Sequence, residues 1–148
     1  MLRLLLACTL FTLCNCGPQQ TSQELEGFAA AFRIANQAAD IEPMLALYQL
    51  DGSTEQTISL LKNALSYELG MPIKRIEFEA LHGSPEETIY YSYQGVHYGP
   101  TLTPQLRMRV RYDTDDHFES LFSIGRNQQG DWRIVSSQPL QPQETLQK

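Results

Sequence analysis

Beyond position 16 the chain contains no cysteine; Cys8, Cys14 and Cys16 all fall within an N-terminal segment that reads as an address. With Cys16 as the mature N-terminus, disulfides, thiolate metal sites and cysteine nucleophiles are excluded together. Long hydrophobic runs are missing too. The sustained apolar stretch, residues 4–13 with Thr9 and Thr12 inside it, is too short to cross a bilayer. Positive charge is scarce: 11 Lys and Arg against 17 Asp and Glu give a net charge of −6, and Arg107, Arg109 and Arg111 form the one basic cluster. Nucleic-acid binding needs a basic face to neutralise phosphates, so no nucleic-acid partner is expected. His82, His97 and His117 stand at no recognisable ligand spacing, and there is no glycine-rich phosphate loop. Neither a metal nor a cofactor is therefore expected. Ser84, Ser92, Ser120 and Ser123 lack a nucleophile-elbow context.

What is present begins with the leader. Met1-Leu2-Arg3 is a short positive start, followed by an apolar run and then Leu13-Cys14-Asn15-Cys16-Gly17. The apolar length fits the 7–15 residues, roughly, of a secretory signal. The segment resembles a bacterial lipoprotein signal, with Leu13 three positions before a cysteine that is lipidated and becomes the N-terminus. That resemblance implies lipidation at Cys16, export, and anchoring to the bacterial cell envelope, at the outer membrane if the host has one. Cys8 leaves too short an apolar run, and Cys14 lacks a small residue before the cut. An ordinary signal peptide cut near Cys16 and Gly17, or an uncleaved anchor, is the competing reading. Residues 17–21 then form a tether, 22–138 a single domain and 139–148 a flexible Pro/Gln-rich tail.

Within the domain the apolar period changes once. Thr21-Ser22-Gln23-Glu24 has the capping-box pattern, and Leu25, Phe28, Phe32, Ala35 and Ala39 recur at helical steps, predicting a helix over 22–38. Asp40 and Pro43 start a short second helix, with Met44, Leu45, Leu47 and Tyr48 as its buried residues. A second capping box at Ser53-Thr54-Glu55-Gln56 opens a third helix with the stripe Ile58, Leu61, Leu65 and Leu69, stopped by Gly70 and Pro72. After Pro72 the period becomes 2. Strands are predicted around Ile76, over 88–93, around Met108, around Phe122 and over 131–136, with a Gly/Pro-punctuated loop at 94–104. The fold class is α+β: three N-terminal helices packed on a curved antiparallel sheet of about five strands.

This order resembles the nuclear transport factor 2-like (ketosteroid isomerase-like) cone. The residues that carry the likeness are the long first helix, Met44-Leu45-Ala46-Leu47-Tyr48, the third helix and Gly130-Asp131-Trp132-Arg133-Ile134-Val135. The resemblance implies a cone that can hold a ligand, and in the isomerases a carboxylate base on a hairpin between the second and third helices. Between Tyr48 and Ser53 there is no room for that hairpin, which argues for binding over catalysis. Tyr48, Asp51 and His97 are the candidates if a reaction occurs, with Asp51 before Gly52 serving a turn in the simpler reading. Two features suit recognition. Tyr91, Tyr93, His97 and Tyr98 crowd one segment, and tyrosine joins apolar area to a polar tip. Arg107, Arg109 and Arg111 share a strand face suited either to anions or to pairing with Glu77, Glu79 and Glu119. Trp132 is read as core. The expected function is a lipid-anchored binding module for a partner protein or envelope component, or for a second copy of the chain in a homodimer. An isomerase-like enzyme and a structural spacer are the alternatives.

Overall fold

The computed structural model describes residues 18–141 except Thr88; Cys8, Cys14, Cys16 and residues 142–148 lie outside the described residues. Among the described residues, no helix is long and apolar enough to cross a membrane. Helix α1 (Pro18–Asn36) turns Phe28, Phe32 and Ala35 inward. It starts earlier than the predicted cap, so Thr21 lies inside the first turns and Glu24 accepts a hydrogen bond from Gln20 instead. Residues 18–20 are already helical, so the turn that Thr21 would have capped lies within the helix. The end of α1 is tied down: fully buried Asn36 donates from its side chain to the Met71 carbonyl at 2.8 Å, and its own carbonyl accepts from the Gly70 amide at 2.7 Å.

Helix α2 (Glu42–Leu45) is one turn, with the Asp40 carboxylate accepting from the Glu42 amide. The expected helical burial of Tyr48 is corrected here. Tyr48 and Gln49 form strand β1 (Tyr48–Gln49). Helix α3 (Glu55–Glu68) is capped by Thr54, whose hydroxyl accepts from the Thr57 amide at 3.1 Å, one residue later than the Ser53 start of the sequence motif. Gly70, at φ +83°, follows its end, a conformation that costs glycine little.

The strands are β2 (Ile73–Ala80), β3 (Tyr91–Tyr93), β4 (Val96–Pro100), β5 (Leu106–Tyr112), β6 (Glu119–Arg126), β7 (Trp132–Val135) and β8 (Ser137–Pro139). Four of them join β1 in a five-stranded sheet, in the order β1-β7-β6-β5-β2. That sheet is mixed rather than antiparallel throughout, because β1 runs parallel to β7, pairing Tyr48 with Ile134 and Gln49 with Val135. A second sheet, β3-β4-β8, was not foreseen as such. The predicted strand at 88–93 shrinks to Tyr91–Tyr93, and part of the predicted loop at 94–104 is strand β4. Gln94 (φ +50°) and Gly95 (φ +78°) make the two-residue turn between them, the left-handed pair that suits a hairpin.

One face of the larger sheet is apolar. Met108, Val110, Ile124 and Ile134 are essentially fully buried and join Phe32, Met44, Leu45, Leu65 and Trp132 in a single core. Phe32 and Phe122 meet at 5.5 Å between ring centroids. The opposite face carries Arg107, Arg109, Arg111, Glu77 and Glu79, as a period of 2 requires. β8 continues from β7 after Ser136, so one stretch of chain links the large sheet to the small one.

Candidate functional site: the tyrosine cleft

The β3–β4 hairpin concentrates Tyr91, Tyr93 and Tyr98. Register places Tyr91 opposite Tyr98 and Tyr93 opposite Val96, so these four side chains share one face. The Tyr91 and Tyr98 rings stack at 4.9 Å with planes 2° apart, and the Tyr91 hydroxyl lies 2.8 Å from the Ser137 hydroxyl on β8. Tyr98 is buried by this packing, whereas Tyr91 and Tyr93 each keep 46% of their surface exposed. Opposite them stands the N-terminal half of α3, with Gln56, Thr57 and Leu60. Leu60 is 62% exposed although it is a large apolar side chain.

Between helix and hairpin are two adjoining hollows of about 290 and 270 Å³ that share Thr57, Leu60 and Tyr91. The first reaches down to Tyr48, Val135 and Ser137; the second is walled by Gln56, Tyr93 and Tyr98. Among the described residues, every one that lines them is uncharged. Thr57 and Leu60 are not singled out in the sequence, and Gln56 appears there only as part of a capping box. Leu60 carries the signal that could have found them: it lies off the helix's apolar stripe, and a large apolar residue outside the core face is informative.

The other face of the hairpin fronts a wide open groove of about 1310 Å³, lined by Gly52, Gly95, His97, Gln138 and Leu140 among others. His97 is exposed and its Nδ1 lies 2.7 Å from the Ser92 hydroxyl. Asp51 is exposed beside Gly52 and accepts from the Gln49 side-chain amide at 2.7 Å. The turn at Asp51 and the His97 strand thus border one groove, while Tyr48 lies apart from both in the interior. A Ser–His pair needs a group orienting the base and donors for an oxyanion before it can transfer an acyl group; the hydrogen bonds of His97 supply neither.

Deeper in the domain, Glu68 at the end of α3 accepts from the Tyr112 hydroxyl at 2.6 Å and from the Ser120 hydroxyl at 2.8 Å. Burial, with the Glu68 charge second, pushes the Tyr48 phenol well above the usual tyrosine range, and Tyr112 is raised by burial and by its bond to Glu68. Both phenols therefore stay protonated, and Tyr112 serves as a hydrogen-bond donor to Glu68. Sequence reading missed Glu68, because its partners come from two distant strands.

The arginine strand is engaged along its length. Arg109 donates to Glu79 at 2.6 Å and also pairs with Glu119. Arg111 reaches Glu77 at 3.3 Å and Glu119 at 3.4 Å. Arg107 pairs with buried Glu87 at 3.0 Å. Glu87 in turn accepts amides from His82, Gly83 and Ser84, which hold its carboxyl below the usual range. The arrangement matches the three guanidinium groups with Glu77, Glu79 and Glu119 on the same face and with Glu87 from the 85–87 turn. Trp132 is buried, and the Arg126 guanidinium lies 4.5 Å over its ring. No group of three or more His, Cys, Asp or Glu residues is placed to hold a metal ion among the described residues. No family model, no curated protein and no solved structure matches the chain.

Proposed function

We propose that this chain is an exported, lipid-anchored protein of the bacterial envelope whose domain, a nuclear transport factor 2-like cone, binds a partner or envelope component rather than transforming a substrate. The leader ending in Leu13-Cys14-Asn15-Cys16 supports the anchor, and the order of three helices before the main strands supports the cone. The observation that carries the binding reading is the tyrosine cleft, in which Leu60, Tyr91 and Tyr93 remain exposed beside preformed hollows. Exposed aromatic and apolar side chains around concave surface are what recognition sites are made of. A multiply acylated Cys16 would hold that cleft at a membrane, since each buried methylene adds about 0.8 kcal/mol.

The test has two arms. Fractionation of cells expressing the full chain should find it with the membrane, and Cys16→Ser should release it; a Cys16→Ser protein that fractionates like the wild type contradicts the anchor. Immobilised full-length protein should retain envelope material, Tyr93→Ser with Leu60→Ser should lose it, and Asp51→Asn with His97→Gln should keep it. Equal retention by all three proteins contradicts the cleft.

The Glu68 cluster favours a second reading, an isomerase-like pocket, since it sets a carboxylate among phenols inside the domain. Its geometry weakens that reading. Both Glu68 oxygens already accept hydroxyl donors, and neither Glu68 nor Tyr112 lines the cleft or the wide groove.

A further inference from the structure

We infer that the tyrosine cleft takes uncharged sugar rings, with the two adjoining hollows that share Tyr91 receiving successive units of a neutral glycan strand. This rests on the reading of the domain as a binding module and gives that module its ligand class.

Among the described residues the lining carries no charge, although 19% of the chain is Asp, Glu, Lys or Arg. An anionic ligand would find no cation within the cleft, and the strand Arg107, Arg109 and Arg111 is already matched by Glu87, Glu79, Glu77 and Glu119. A cationic ligand would find no carboxylate. Electrostatic complementarity therefore selects a neutral ligand.

Among neutral ligands, the alternation of groups favours a sugar. A pyranose has an apolar C–H face and a rim of hydroxyls. The cleft offers the rings of Tyr91 and Tyr93 and the Leu60 side chain, bordered by the hydroxyls of Tyr91, Ser137 and Thr57 and by the Gln56 amide. Each hydroxyl there makes an internal hydrogen bond, yet a hydroxyl has one donor and two acceptor sites, so capacity remains for a ligand. An acyl chain would gain from a closed, dry pocket, and these hollows are open and edged with hydroxyls. An extended peptide would need main-chain pairing along a free strand edge, and β3 offers only Tyr91–Tyr93.

The site is also preorganised. Tyr98 stacks under Tyr91, and Ser137 fixes its hydroxyl, so little side-chain freedom is lost on binding. Because Tyr91, Thr57 and Leu60 are common to both hollows, adjacent rings of one strand would occupy neighbouring hollows that meet at these residues.

The experiment is isothermal titration calorimetry of the full chain in detergent micelles. The probes are uncharged cello-, chito- and malto-oligosaccharides, an anionic oligogalacturonate, and a neutral peptide containing Leu and Phe. At least one neutral oligosaccharide should bind, with Tyr93→Ala weakening it about tenfold through loss of an aromatic contact. Gln56→Glu should weaken it too, and oligogalacturonate should bind no better than its neutral counterpart. Both substituted side chains are exposed, so unchanged thermal midpoints should show that the variants fold. Sugar binding indifferent to Tyr93→Ala and Gln56→Glu overturns the site. Binding of the peptide alone, weakened by Tyr93→Ala, overturns the sugar while leaving the binding module standing. No binding by any probe overturns the inference as well, and the retention assay with the Tyr93→Ser and Leu60→Ser protein then decides the module separately.

Discussion

Glu87 is the most heavily bonded carboxylate among the described side chains. It gathers the amides of His82, Gly83 and Ser84 and the Arg107 guanidinium, and so fixes the loop that leads into the tyrosine hairpin. The His82 amide is the largest cause of its lowered pKa, and Glu79 is lowered chiefly by its hydrogen bond from Arg109. The sign follows from those shifts. Carboxyls depressed in the folded state contribute stability above their unfolded value of about 4.3 and lose it as pH falls through the folded value. Thermal midpoints should therefore drop as the medium is acidified below that value. Glu87→Gln should lower the midpoint at neutral pH and flatten the acid limb. A variant whose acid limb matches the wild type would contradict the role given to Glu87.

At the scale of elements, two substitutions probe how the parts are joined. Thr54→Ala removes the cap of α3, the helix that forms one wall of the cleft, and should cost about 1 kcal/mol in chemical denaturation. Gly125→Ala should cost about 1–3 kcal/mol, because a Cβ at that position of β6 meets the Thr103 carbonyl oxygen and the backbone would have to shift. Stability unchanged by Gly125→Ala would mean that the 101–105 segment yields freely. Elements built on their own periodicity were legible in the sequence: the stripe of α3 around Leu65 and the alternation of β5 around Met108 both reappear as buried faces. What escaped depends on distant partners. Tyr48 and Gln49 count as a strand only because residues 134 and 135 lie beside them. The hairpin was hidden for another reason, since glycine and proline at 95, 99 and 100 read as loop punctuation while Gly95 in fact makes a tight turn. Of the candidate site, the tyrosines were legible as a cluster. The α3 wall opposite them was not, because nothing in local sequence brings Leu60 to Tyr91.

For the whole molecule, core and cleft divide the work. Phe32, Met108, Val110, Ile124 and Ile134 occupy the interior with almost no exposed surface, while the proposed recognition site lies on the outside of the helix and hairpin. Met108→Ala should cost about 2–5 kcal/mol by opening a cavity among packed neighbours. In the population that remains folded, it should leave ligand retention intact. The measurement closest to the central claim is site-specific photo-crosslinking of the full chain in a bacterial envelope. A photoreactive residue would be placed at Leu60 or Tyr93 in the cleft, or at Ile34 or Tyr67, which are more exposed still but stand outside it. Adducts formed from positions 60 and 93 and absent from 34 and 67 are the expected result. Adducts of equal yield from all four positions, or from 34 and 67 alone, would contradict the assignment of recognition to the tyrosine cleft.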